Sequence, residues 1–180
     1  MYMEYTILGM LAQEDLTGYD LKKKMQASTF MYWSGNNNQI YKALVQLGNK
    51  EYVTSTTVHQ DGSPSKKVYQ ITDRGRAAID QWVLGTPPEP PEFRKPFLLQ
   101  LAAAGNLGKR QILQLLTAYG QQLNEYLAME QEKRRRTQKA ESGLEYFLKD
   151  KIHENVEVFY QSELDWLHRF AAELQSREEF

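Results

Sequence analysis

Residues 34–53, S-G-N-N-N-Q-I-Y-K-A-L-V-Q-L-G-N-K-E-Y-V, decide how this chain reads. Ile40, Ala43, Leu44 and Leu47 recur at i, i+3, i+4 and i+7, the spacing of one apolar helical face. Gln39, Lys42 and Gln46 fall on the opposite face. Asn36, Asn37 and Asn38 precede the periodic run, and any of them can cap the helix. No carboxylate appears until Glu51, just before a strand begins. A helix that displays amides and a lysine at its N-terminus and outer face suits DNA. Amides pair with base edges, lysine neutralises phosphate, and a helix N-terminus attracts phosphate oxygens. An ordinary amphipathic helix with a solvated polar face carries the same pattern, so the flanking segments decide between the two.

Upstream, Tyr5–Ala12 reads as a short apolar helix with Ile7, Leu8 and Leu11 inward, and Gln13–Leu16 as a polar break. Thr17 then caps a second helix, T-G-Y-D-L-K-K-K-M, with Asp20 where a capping-box acid belongs. Leu21 and Met25 form its buried side. Lys22, Lys23 and Lys24 read either as a solvated face or as a backbone contact, one connection before the candidate reading helix. Ser28–Gly35 joins the two helices, and its Phe30, Tyr32 and Trp33 are expected to pack that connection onto the core.

Downstream, Tyr52–Val58 is rich in Val and Thr and reads as a strand. Gln60–Ser65 is a turn with Asp-Gly and Pro, and Lys66–Ile71 the return strand. Thr72 caps a fourth helix, T-D-R-G-R-A-A-I-D-Q-W-V-L. Three helices, a hairpin and a further helix make a winged helix-turn-helix, with Lys66 and Lys67 on the wing.

Thr86–Glu92 holds four prolines and reads as a semi-rigid spacer. The expected organisation is a winged helix over residues 1–85, a link over 86–92 and a helical domain over 93–180. The fold class is therefore mainly α with one small β-hairpin. In the second part, Arg94–Ala104 reads as a short helix and Lys109 to Gln138 as a long one. Ile112, Leu116, Tyr119, Leu123 and Tyr126 give the long helix a heptad-like seam. Lys133–Arg136 closes that pattern, either as cations favoured at a helix C-terminus or as a second nucleic-acid site. After Ser142-Gly143 a last helix runs to about Gln175. Leu148, Ile152, Val156, Phe159, Trp166, Phe170 and Leu174 line one of its faces. With few partners inside the chain, such stripes point to self-association as a twofold dimer.

Composition sets limits on function. The formal net charge is -1, so any electropositive surface must be local. Residues 1–85 carry nine basic and eight acidic side chains, and the basic ones gather at the second helix, the third helix and the wing. There is no cysteine, which excludes disulfides and thiolate chemistry. No apolar stretch approaches a membrane span, so a soluble, cytoplasmic protein is expected. His59, His153 and His168 show no metal-ligand spacing, and no nucleophile elbow, P-loop or dinucleotide fingerprint appears. Neither an enzyme nor a cofactor is expected.

The N-terminal part resembles the PadR family of bacterial winged-helix transcriptional regulators. The matching pieces are Y-T-I-L-G-M-L, T-G-Y-D-L, N-Q-I-Y-K-A-L-V-Q-L and S-P-S-K-K-V-Y-Q-I-T-D-R-G-R. The long helical part after a proline-rich link is similar to the larger branch of that family, which includes virulence activators of the AphA type. Two positions depart from the family's habit. Lys42 stands where proline is usual, and Glu51 where glycine is frequent, so either Asn49 takes the left-handed position or the turn differs.

The resemblance implies a homodimeric repressor, less often an activator, whose two reading helices enter successive major grooves of a near-palindromic operator, about 34–36 Å apart. It assigns DNA contacts to Asn37, Asn38, Gln39, Tyr41 and Lys42 of the third helix and to Tyr19 of the second. On the wing it assigns Ser63, Ser65, Lys66 and Lys67. Leu148, Ile152, Val156, Phe159, Trp166 and Phe170 are the expected dimerisation face. A small aromatic effector is also implied, with no pocket motif to seat it. A winged helix used only for protein contact is the alternative, since a fold does not dictate its function.

Overall fold

The computed structural model describes residues 2–31, 35–60, 63–92, 94–138 and 143–178. Tyr32, Trp33, Asp61, Gly62 and Ser142, which the sequence reading used, lie outside the described residues, as does the side chain of Ser63. The chain divides after Pro90 into two compact units.

The first unit runs α1 (Tyr2–Leu11), β1 (Leu16–Thr17), α2 (Gly18–Ala27), α3 (Asn37–Asn49), β2 (Val53–Gln60), β3 (Ser63–Ile71) and α4 (Asp73–Gly85). Its core joins Ile7, Leu8 and Leu11 of α1, Leu21 and Met25 of α2, and Ile40, Leu44 and Leu47 of α3. The apolar periodicity of α3 is thus its buried face, with Ala43 completing it. Caps fix the helix starts. Thr17 Oγ1 accepts the Asp20 amide while the Asp20 carboxylate accepts the Thr17 amide, a complete capping box. Asn36 accepts the Asn38 amide at the head of α3, and Thr72 accepts the Gly75 amide at the head of α4.

Three features depart from the sequence reading. Helix α1 begins at Tyr2 rather than Tyr5. The end of the polar break is a two-residue strand, β1, whose Leu16 and Thr17 pair with Tyr69 and Val68 of β3. The sheet therefore has three antiparallel strands in the order β1-β3-β2. The third concerns the turn after α3. Neither Asn49 nor an altered turn is used: Glu51 itself sits at φ 60°. The Tyr52 amide donates to Leu47 O and the Glu51 amide to Gly48 O, the paired bonds of a Schellman end. Thr72 Oγ1 also donates to Glu51 O at 2.7 Å, so the cap of α4 holds the strained residue.

The second unit contains α5 (Pro96–Ala102), a 3-10 turn (Ala104–Asn106), α6 (Lys109–Gln138) and α7 (Leu144–Ser176). Helices α6 and α7 bury Leu116, Leu123, Leu127, Leu164, Leu167 and Leu174 in one core. Part of the expected stripe is therefore satisfied within the chain. The α6 seam departs from the heptad at its end: Leu127 is buried, while Tyr126 is half exposed and stacks on Tyr160. Lys133–Arg136 enters ion pairs. Arg134 reaches across to Asp150, Glu154 and Glu157 of α7, Lys133 pairs with Glu130, and Arg135 and Arg136 share Glu132. Between them the two arginines hold the Glu132 carboxyl down at about 2, chiefly through their hydrogen bonds.

Helix α5 divides the stripe on α7. Phe97 stacks on Tyr119 at 3.9 Å and meets Trp166 edge-on at 6.2 Å. Lys95 pairs with Glu163 and lies over the Phe159 ring at 5.0 Å. Leu174 is buried in the core of the unit, and Trp166 and Phe170 are half-buried against it. Leu148, Ile152 and Phe159, on the same face nearer the N-terminus of α7, remain exposed.

Candidate nucleic-acid interface

The site is built on the N-terminal halves of α2 and α3 and on the wing. With the apolar face of α3 turned inward, Asn37, Asn38, Gln39, Tyr41 and Lys42 are all exposed. Asn36, which the expected contacts omit, holds the cap and so fixes the direction of the first turn. Tyr19 projects from the first turn of α2 and is 66 % exposed. Ser65, Lys66 and Lys67 are exposed on β3.

Packing ties these three elements together. The ring of Tyr41 lies against Gly18, the first residue of α2. Strand β1, directly before α2, is hydrogen-bonded to β3, so the start of α2 is fixed to the base of the wing. Tyr69, opposite Leu16, is half-buried, and its hydroxyl is pushed up first by burial and then by Tyr41. Lys67 Nζ lies 5.5 Å from the centre of the Tyr69 ring. The Asp20 carboxyl is held below its usual range, first by its hydrogen bonds from Thr17 and to a smaller degree by Lys66 and Lys23. That cap keeps the acidic charge of α2 engaged beside the wing. Lys42, Lys66 and Lys67 enter no salt bridge with the described residues, so their charge is available to an outside anion.

Gly18 and Tyr69 organise this surface, and the sequence reading assigned neither a role. A glycine at the first position of a capped helix was the available signal for Gly18, because most residues serve there equally well. Gly75 is similarly constrained: a β-carbon there would lie 2.2 Å from Tyr52 O, so α4 approaches the strand entry as only glycine permits. Among the described residues no group of three or more His, Asp or Glu side chains could hold a metal ion. Nor is any helix long and apolar enough to cross a membrane.

Comparison with known proteins agrees with this architecture. Residues 7–81 match the model of the transcriptional regulator PadR-like family. A probable transcriptional regulator of Mycobacterium tuberculosis is 37% identical over 83 residues, covering 46% of this chain and 44% of that protein. The negative transcriptional regulator PadR of Bacillus subtilis is 31% identical over 98 residues, 54% of each chain. The sequence match thus spans about half the length of these curated relatives. The fold likeness extends further. The crystal structure of Bacillus subtilis PadR in complex with operator DNA superposes with a TM-score of 0.80 at 22% identity, covering 94% of this chain and 96% of that one. The same protein in complex with p-coumaric acid gives 0.77 at 20% identity, covering 98% and 97%. The virulence activator AphA of Vibrio cholerae gives 0.67 at 24% identity, covering 97% and 98%. Residues 7–81 of this chain thus form a PadR-like domain, and the fold over nearly its full length is the one these solved structures share.

Proposed function

We propose that this chain is a homodimeric, DNA-binding transcriptional regulator, acting as a repressor in the bacterial cytoplasm, with no catalytic role. One observation carries the reading: the amide-bearing N-terminus of α3, the start of α2 and the lysines of the wing form one linked surface. That surface combines groups that read base edges with cations that neutralise phosphate. Asn37, Asn38 and Gln39 read bases, Lys42, Lys66 and Lys67 contact phosphate, and Tyr19 and Tyr41 border the backbone. A relative named a negative regulator supports the sign of regulation.

The dimer reading rests on the half of the α7 stripe that α5 leaves open. Leu148 is 54 % exposed and Phe159 46 % exposed, and a second copy of the helix offers the same row back. A twofold pair would present two α3 helices to a near-palindromic operator.

A cavity of about 440 Å³ in the first unit is the proposed effector seat, lined by Tyr2, Tyr5, Met10, Phe30, Met31 and Trp82. Tyr5 stacks on Trp82 at 4.7 Å, and Trp82 Nε1 is buried without a hydrogen-bond partner among the described residues. Aromatic walls of this kind suit a small planar molecule. The p-coumaric acid complex of a relative supports this class of ligand.

The test is fluorescence anisotropy of the full chain with a labelled duplex from its own upstream region, over a salt series. Binding that resists random competitor and weakens steeply with salt is expected. Absence of binding to any duplex at low salt overturns the reading in favour of a winged helix devoted to protein contact.

A further inference from the structure

The wing carries a polar pair of which only Ser65 is among the contacts assigned above. Strands β2 and β3 hold one register from Val53 opposite Ile71 to Val58 opposite Lys66. They then slip, so that Gln60 pairs with Ser63 and two residues of β3 oppose His59 alone. Such a bulge re-aims the side chains beside it. Here it brings His59 Nδ1 within 2.8 Å of Ser65 Oγ, with both residues exposed.

We infer that His59 is a phosphate-contacting residue of the wing and that Ser65 positions it. This rests on the DNA-binding reading above. A serine hydroxyl that donates to Nδ1 selects the tautomer with hydrogen on Nε2, at the far side of the ring. That N–H is a donor for an outside acceptor. The strand packed against His59 brings Ser65, Lys66 and Lys67 to this end of the wing, so the acceptor is an anion. A phosphate oxygen of the duplex meets both requirements. The pair explains itself poorly as a stabilising device, because an exposed hydrogen bond between two side chains adds little to folding. It also changes the role of Ser65, whose hydroxyl is already engaged by the ring.

The experiment compares the full chain with His59→Ala, His59→Gln and Ser65→Ala on the labelled upstream duplex and on a random duplex over a salt series. His59→Ala is expected to lose affinity severalfold on both duplexes, because a phosphate contact does not depend on base sequence. His59→Gln keeps an N–H donor at the far end of its side chain and retains part of that affinity, and Ser65→Ala loses part of it. A His59→Ala variant with the parent's affinity overturns the inference and leaves the DNA reading intact. A His59→Gln variant that falls as far as His59→Ala overturns it too, because the donor then makes no difference. Failure of the parent to bind either duplex overturns both.

Discussion

Tyr41 of the candidate reading helix packs on Gly18, the residue that opens the preceding helix. A β-carbon at Gly18 would lie 2.7 Å from Tyr41 Cε1 and 3.2 Å from its hydroxyl oxygen. The spacing between the heads of α2 and α3 therefore depends on a missing side chain. Gly18→Ala is expected to cost ~1–3 kcal/mol, because the tyrosine ring must move. Thermal melting checks the stability and anisotropy the affinity. DNA binding should fall on specific and random duplexes alike, since the displaced element is the whole head of α3. A variant with the parent's melting temperature and affinity would show that the contact is not limiting.

The reading face and the wing should separate in their sequence dependence. Asn38→Ala or Gln39→Ala is expected to cost ~1–3 kcal/mol on the operator and little on random DNA if the contact is bidentate. Lys66→Ala and Lys67→Ala should weaken both duplexes about equally and lower the salt slope by about one unit each. Titrations of each variant against the two duplexes test this. If all four variants behave like the parent, the face is misassigned.

The α7 stripe should divide into two functional halves. Leu148→Glu combined with Ile152→Glu changes exposed positions, so helicity should persist while light scattering reports half the parent's mass. Leu174→Ala changes a buried position and is expected to cost ~2–5 kcal/mol of stability. A double glutamate variant that keeps the parent's mass would move the dimer contact elsewhere.

Glu51 holds a left-handed conformation that glycine adopts without steric penalty. Glu51→Gly is expected to stabilise the first unit by ~0.5–1 kcal/mol, the left-handed strain being partly offset by glycine's larger entropy loss. The exposed pair between Glu51 and Arg74 would be lost, but such pairs contribute little. Urea denaturation measures the change. A lower midpoint would mean that the ion pair outweighs the strain.

The capping box at α2 should leave a pH signature. The Asp20 carboxyl titrates below its ordinary range because Thr17 donates to its charged form. A depressed folded value means that the contribution is complete above the unfolded value, about 4, and is lost as pH falls through the folded one. The stability difference between the parent and Asp20→Ala should therefore be about 1 kcal/mol at pH 7 and shrink at pH 3. Denaturation at the two pH values checks this, and a constant difference would assign the effect to packing.

The elements that were legible in the sequence share one physical property: their determinants lie within a few residues of each other. The α3 face follows from the spacing of Ile40, Ala43, Leu44 and Leu47, and the helix starts from Thr17, Asn36 and Thr72. Most of the contacts that were missed join residues far apart along the chain, the exception being His59 and Ser65, which a bulge brings together. Strand β1 exists because β3 returns beside Leu16, and two residues carry no strand signal alone. Glu51 is held left-handed by the cap of a different helix. His59 looked like a surface residue because its partner is brought to it by a bulge.

The α7 stripe shows the same division within one helix. Its apolar spacing placed Leu148, Ile152, Phe159, Trp166 and Phe170 on one face from sequence alone. Which of them remain exposed was decided by α5, whose Phe97 packs edge-on against Trp166. By itself, the sequence determined a capped winged helix followed by amphipathic helices, because periodicity and capping are local. The tertiary structure decided which surfaces are left open, because burial depends on partners that only folding brings together.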